Sequence, residues 1–368
     1  MPNDWLYKIA LTQIPLVGPV TAKNLISYCG GVEAIFTEAK RGLLKIPGIG
    51  ETIAGNILTH QHNALGVAEK ELTFIEKNKV TPIFYLDKTY PQRLRHYVDS
   101  PIMLYYQGKA DLNHFRTLGV IGTRKPTEQG KKICREIIEQ LKPYNPYIIS
   151  GLAYGIDIAA HQASLEFGLP TIGILGSGLG NIYPSTHYAI AQKMLEQGGL
   201  ISEFLHFTQP DRENFPMRNR ILAALSDSVL VVETAEQGGS MITANIAEEY
   251  NKDVFAVPGR VSDKYSKGCN LLIKTNKAAL VENATDLLEK TLWERLDAPK
   301  RAVQAQLFLD NSDEELLILK ILGQADEMSV DRIANESKFP HSELASVLLN
   351  LEFQGQIKAL PGKRYMLY

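Results

Sequence analysis

"LGVIGTRKPTEQGKKICREIIEQLK", residues 118–142, joins three signals in one stretch. "LGVIG" is a short apolar run without alternation, the mark of a strand buried on both faces. "GTRKPTEQG" is a turn carrying two cations, Arg124 and Lys125, and "KKICREIIEQLK" is amphipathic at helical spacing. The same apolar runs recur outward: "YIISG" (147–151), "TIGILG" (171–176), "LISEF" (200–204), "SVLVVE" (228–233) and "DVFAVPG" (253–259). Amphipathic helical segments separate most of them. Strand-helix alternation of this length predicts a parallel, doubly wound α/β sheet with right-handed crossovers. Upstream, "TPIFYLDKTYPQRLRHYVDSPIMLYYQG" reads as a strand-helix-strand extension of that sheet.

Both flanks differ from this core. The first 75 residues are helical in pattern and hold a short repeat: "IPLVGPVTAKNLI" from Ile14 returns as "IPGIGETIAGNIL" from Ile46. Each copy is a tight turn opening a helix, as in a helix-hairpin-helix. Such turns either offer backbone N–H groups to a phosphate or simply pack; with only Lys23 nearby, phosphate affinity is expected to be weak. The expected organisation is a helical domain at 1–75, the α/β core at 76–295, a linker at 296–311 and a final domain at 312–368. That last stretch reads as three helices and a hairpin turning at Pro361-Gly362, the outline of a winged helix.

Composition narrows the function. The chain has 39 Lys and Arg against 41 Asp and Glu, a net charge of −2, so bulk positive charge cannot be how it meets a polyanion. A local basic cluster is still compatible. Cys29, Cys134 and Cys269 have neither disulfide nor zinc-site spacing and read as reduced thiols. No metal or cofactor is expected. The N-terminus lacks a signal-peptide pattern and no apolar run approaches the ~18 residues of a membrane span, so the expected location is cytoplasmic.

Ligands of doubly wound sheets bind at the carboxyl ends of the strands. Those ends supply "GTRKPTEQG", "SGLAYGIDIAAH", "GSGLGNIYPSTH", "SEFLHFTQPDRENFPMRNR", "ETAEQGGSMITAN" and "PGRVSDKYSKGCN". Arginines, glycines and aromatics therefore share one rim, with the helix start at Gly239-Ser240 offering backbone donors to an anion. Neither a G-x-G-x-x-G nor a G-x-x-x-x-G-K-[ST] motif is present. His161 and His187 lack metal-ligand spacing, and Asp157 reads as a helix-start residue. Arg124, Arg218 and Arg220 are harder to ascribe to packing and point to an anion. Arg218 and Arg220, two apart on a helix, cannot face it together, so one is expected to reach the ligand and the other to brace the loops. Tyr183 and Phe215 offer stacking faces, unless Phe215 is simply buried.

From Gly122 to Gly268 the chain resembles the DprA/Smf (DNA-processing protein A) family. The matching pieces are "GTR", "SGLAYGIDIAAHQASL", "GSGLGNIYPSTH", "ISEF", "FPMRNRILAALSDSVLVVE", "GGSMITANIAEE" and "VPG…GCNLLI". The resemblance implies an extended Rossmann-like core between a helix-hairpin-helix (SAM-like) domain and a winged helix. It implies a protein, not an enzyme, that binds single-stranded DNA, forms a homodimer and loads RecA recombinase during natural transformation. Single-strand-binding protein, which coats such strands, is a further expected partner, and no membrane is. Carried over residue by residue, the DNA contacts are Arg124 with its neighbour Lys125, Tyr183, His187, Arg218, Asn219, Arg220, Gly239 and Ser240. Thr123 replaces the usual serine of the turn, Gly238 a serine, Met241 a leucine, and His187 a common asparagine. The alternative is a Rossmann-like enzyme of the phosphoribohydrolase type. Setting Gly239-Ser240 on that family's Gly-Thr pair puts Thr243 where the catalytic glutamate belongs, which favours binding over hydrolysis.

Overall fold

The computed structural model describes residues 4–296, 311–325, 327–360 and 364–367. All six apolar runs become strands: β3 (Thr117–Ile121), β4 (Tyr147–Ser150), β5 (Thr171–Ile174), β6 (Gly199–Ser202), β7 (Ser228–Val231) and β8 (Asp253–Ala256). Before them lie β1 (Thr81–Phe84) and β2 (Met103–Gly108), and after them the two-residue β9 (Ala279–Leu280), which the sequence pattern did not reveal. The sheet order is β1-β2-β6-β5-β4-β3-β7-β8-β9. From β6 to β9 every pair is parallel, whereas β1 and β2 form an antiparallel edge.

Side chains alternate between two helical layers, which is why these runs carry no polar face. Leu118, Val120, Ile148 and Leu230 pack with Cys134, Ile137 and Ala160 of the helices Glu128–Gln140 and Ile156–Phe167. Ile121, Ile149, Val229 and Val231 point the other way, onto the helices Asn214–Leu225 and Gly239–Glu249. The chain winds outward from β3 to β6 on one side and from β7 to β9 on the other. The order therefore reverses between β3 and β7, where the connecting loops diverge and leave a crevice.

The N-terminal repeat has a structural explanation. Asn24 of the first copy donates to the Pro47 carbonyl of the second at 2.5 Å, and Asn56 of the second donates to the Pro15 carbonyl of the first at 2.9 Å. The shared asparagines thus staple each helix to the other copy's turn. Leu16, at φ 66°, takes the left-handed position that Gly48 (φ 81°) takes in the second copy. The 28-residue helix Glu51–Asn78 then carries the chain to the sheet, burying Ala54, Ile57, Ala64, Ala68, Glu71 and Ile75 on one stripe. These helices share one hydrophobic cluster with Tyr105, Leu175 and Leu200, so residues 4–296 form one compact unit.

The second unit holds the helices Asp313–Leu322, Val330–Ser337 and His341–Phe353 and a three-stranded sheet. Its strands are β10 (Met328–Ser329), β11 (Ile357–Leu360) and β12 (Arg364–Leu367), in the order β10-β12-β11. This is a winged helix, with the short β10 as an addition to the expected pattern. A capping box between Ser312 and Glu315 starts its first helix. Leu344, Val347, Leu348 and Leu351 of the third helix face its core, which leaves Glu343, Leu349, Glu352 and Phe353 outward. The expected linker beyond Leu296 and the turn at Pro361-Gly362, with Lys363, lie outside the described residues.

Candidate nucleic-acid interface

A cleft of about 1080 Å³ opens at the strand-order reversal, lined by the loops after β3 and β7 and by the start of helix Asn214–Leu225. Four cations line it, Arg124, Arg212, Arg218 and Lys264, against two carboxylates, Asp157 and Glu236.

The loop after β3 is held from both sides. Thr123 N–H donates to the Glu233 carbonyl at 2.6 Å, and the Glu233 carboxylate accepts from Thr127 N (2.8 Å) and Thr127 Oγ1 (2.5 Å). The Thr123 hydroxyl accepts from Lys125 N at 3.2 Å, so the threonine does the turn-fixing work of the family's usual serine. Gly155 sits at φ 87°, and a Cβ there would stand 2.1 Å from the Thr123 carbonyl oxygen and 2.7 Å from Arg124 Cα. Only glycine lets the β4 loop lie against this turn. The result is an exposed Arg124 whose guanidinium stands 5.3 Å from the centre of the Phe215 ring. Lys125 is exposed beside it but does not line the cleft.

Phe215 is half-buried rather than interior, and its ring lies 6.2 Å from that of Tyr183, which is 43% exposed. With Tyr154 these rings border a smaller hollow that joins the cleft through Arg124 and Phe215. On the far wall, helix Gly239–Glu249 begins with no side-chain cap and no acid in its first turn. Nothing approaches Gly239 where a Cβ would stand, so its end of the helix dipole is open to the cleft.

Four expected contacts take other roles. Arg218 is 5% exposed; its Nη1 donates to the carbonyls of Gly151 and Ile174, the latter at 2.5 Å, and its Nε to Asn219 Oδ1 at 3.1 Å. Burial pushes its pKa down and Asp157 pulls it back up; Asp157 is itself pushed up by burial and held down by Arg218. Arg220 turns the opposite way, donating to the Glu203 carboxylate and, at 2.6 Å, to the Asp99 carbonyl. Burial pushes Glu203 up to about 7 against the pull of Arg220. Residues two apart point to different sides: Arg218 meets the carbonyls at the ends of β4 and β5 while still lining the cleft, and Arg220 meets Glu203 and the loop at Asp99, so both guanidinium groups already have protein acceptors. His187 is also interior, its Nδ1–H donating to the Leu152 carbonyl at 2.9 Å, which fixes the β4 loop. The Ser240 hydroxyl is engaged with Thr234 Oγ1 at 2.6 Å, which leaves Ser240 only its backbone for the cleft.

His161 is neutral and enclosed: burial pushes its pKa down to about 3, and Nδ1 meets Thr171 Oγ1 at 2.7 Å. Arg212 and Lys264 line the cleft but did not stand out in the sequence. Each lies in a strand-end loop, and the only available signal was that position.

A doubly wound core with a cationic, aromatic-edged cleft, a helix-hairpin-helix tandem before it and a winged helix after it defines a DNA-processing class. The chain belongs to the DNA recombination-mediator protein A (DprA/Smf) family, whose model matches residues 81–292. A SAM-like helix-hairpin-helix tandem matches 8–60 and a DprA winged-helix domain matches 298–363. Protein Smf of Synechocystis is 30% identical over 99% of this chain and 98% of its own, and Protein Smf of Escherichia coli 38% identical over 74% of each. The X-ray structure of DNA processing protein A from Streptococcus pneumoniae superposes with a TM-score of 0.63 at 32% identity, covering 77% of this chain and 97% of that one. The protein of the same name from Helicobacter pylori, solved for its single-stranded DNA binding mode, gives 0.53 at 28%, covering 58% and 96%. Among the described residues no helix is long and apolar enough to cross a membrane.

The geometry separates Arg218 from Arg124. Replacing Arg218 with alanine strands two carbonyls and the Asp157 carboxylate. The expected loss is about 2–6 kcal/mol of stability, the cost of leaving two buried acceptors without a donor. Urea denaturation checks it; a folded variant of near-native midpoint would contradict the bracing role.

Proposed function

We propose that the cleft binds single-stranded DNA and that the protein is a non-enzymatic recombination mediator that loads RecA onto it. The observation that carries this reading is the exposed Arg124 guanidinium held over Phe215 beside Tyr183. A cation next to stacking faces suits a strand whose bases are free, and nothing in the arrangement reads a particular base edge. Arg124, Lys125, Arg212 and Lys264 would meet phosphates, Gly239 and Ser240 would offer backbone N–H groups, and Asn219 would bridge. Arg218, Arg220 and His187 would act from behind, as the frame. The hydrolase reading is weaker because Thr243, in the glutamate's place, is buried and has no ionisable oxygen. RecA loading, single-strand-binding protein as a partner and a homodimer are proposed on the family's mediator role.

Single strands are expected to bind more tightly than duplex. The slope of log affinity against log salt should gain about −0.7 per neutralised phosphate. Arg124→Glu is expected to abolish binding in a folded protein, read by fluorescence anisotropy with a labelled oligonucleotide. Normal binding by that variant, or a duplex preference, would falsify the site.

With cognate RecA, filament growth on strands coated by single-strand-binding protein should accelerate when this protein is added. No acceleration would leave a plain DNA-binding protein as the better description.

The winged helix is proposed to serve protein contacts or dimer support. Its third helix carries no Lys or Arg and shows Glu343 and Glu352 outward, where a groove-reading helix would present cations; Asn350 is its one exposed amide. On its hairpin, Arg364 pairs with Glu327 at 2.5 Å. Deleting residues 312–368 is expected to leave single-strand affinity within about three-fold. A loss of tenfold or more, about 1.4 kcal/mol, in a truncation of unchanged oligomeric state would assign DNA binding to this domain.

A further inference from the structure

Glu71, near the end of helix Glu51–Asn78, is a carboxylate only 1% exposed, far along the chain from the cleft loops. Its oxygens accept from the backbone N–H of His206, both at 3.1 Å, and from the His206 ring Nδ1 at 2.6 Å. Phe74, one turn on, stacks flat on the same ring with centroids 4.2 Å apart. A buried carboxylate is costly unless fully bonded, so a position that holds one needs a reason.

His206 stands where two strand-end loops are laced together. Its carbonyl accepts from Gly180 N at 3.1 Å and lies 3.4 Å from Asn181 Nδ2, both in the loop after β5. Thr208, in the loop after β6, accepts from Gly178 N at 3.0 Å. The two backbones run so close that a Cβ on Gly178 would stand 1.9 Å from the Leu205 carbonyl oxygen. Downstream of this junction, one loop delivers Tyr183, and the other delivers Pro210 and Arg212.

We propose that Glu71 and His206 are positioning residues for the DNA cleft, through which the N-terminal helical segment sets the placement of Tyr183 and Arg212. Glu71 touches no ligand; it acts through the loop it holds. The inference rests on the single-strand reading of the cleft.

The test measures single-strand affinity in the full-length protein by anisotropy, with the thermal midpoint and oligomeric state read in parallel. Glu71→Ala is expected to weaken binding about five- to tenfold, less than one full hydrogen bond to a charged group because the loss reaches the cleft only through the loop. Glu71→Gln is expected to recover most of that loss. Its amide oxygen still accepts from His206 N–H, and its amide nitrogen can donate to the ring. In an Arg212→Ala background the further loss from Glu71→Ala should shrink below about two-fold, because coupled residues are not additive. Should Glu71→Ala fail to fold, His206→Asn removes the ring while keeping the backbone bond, and the same coupling to Arg212 is expected of it. Arg124→Glu separates the two ideas. If it abolishes binding while Glu71→Ala binds normally, or loses affinity independently of Arg212, the positioning role is overturned and the site stands. If Arg124→Glu binds normally, the cleft is the wrong surface and the positioning role falls with it.

Discussion

The buried guanidinium of Arg218 occupies the carboxyl ends of β4 and β5, where the carbonyls of Gly151 and Ile174 have no further strand to bond. Strand-end carbonyls in a closed core must find donors, and a fork of five N–H groups meets several at once. The charge brought in with that fork must itself be balanced, and Asp157 does so from the start of the next helix. Gly151 has to be glycine because a Cβ would stand 2.2 Å from Nη1. The arginine, the aspartate and the glycine, distant in sequence, are thus one device. It ties helix Asn214–Leu225 to the sheet and so places Phe215 one turn earlier on the rim.

Around that device the cleft is framed by interactions that never face it. Arg220 ties the same helix to Glu203 and to the loop at Asp99, whose neighbour Ser100 accepts from Lys23 of the N-terminal helices at 2.8 Å. Glu71 holds the loop after β6 from the same side. The Lys23–Ser100 hydrogen bond and the Glu71–His206 contact therefore connect the N-terminal helices to the loops that frame the cleft. Such contacts add little net stability but resist rearrangement, because removing one partner leaves a charge without solvent. The exposed cations Arg124 and Lys125 take no part in this frame.

Placement of charge also distinguishes the terminal domain. Its third helix uses apolar residues inward, and its outward face carries Glu343 and Glu352 but no Lys or Arg, with Phe353 83% exposed. Electrostatic attraction to phosphate supplies most non-specific affinity for DNA. A winged helix without that term is better suited to a protein surface than to a duplex.

Strand and helix positions were legible in the sequence because a strand buried on both faces must be continuously apolar, and every such run is a strand here. The two-residue β9 was not, since so short an element leaves no period. The parallel doubly wound layout followed from alternation and handedness, whereas the strand order, and with it the reversal between β3 and β7 that opens the cleft, belonged to the tertiary structure. Arg124 and Tyr183 were legible as rim residues because they lie in the loops that follow β3 and β5. The fate of Arg218, Arg220 and His187 was not. A cation at a strand end can meet a ligand or a carbonyl, and only the packed structure shows which acceptors lie within reach. Glu71 gave no sign at all, standing in an amphipathic stripe whose other members are alanine and isoleucine. The chain's local chemistry determined its layers and the rim they create, whereas the choice between contact and brace belonged to tertiary structure, because that choice depends on neighbours 17 to 121 residues away along the chain.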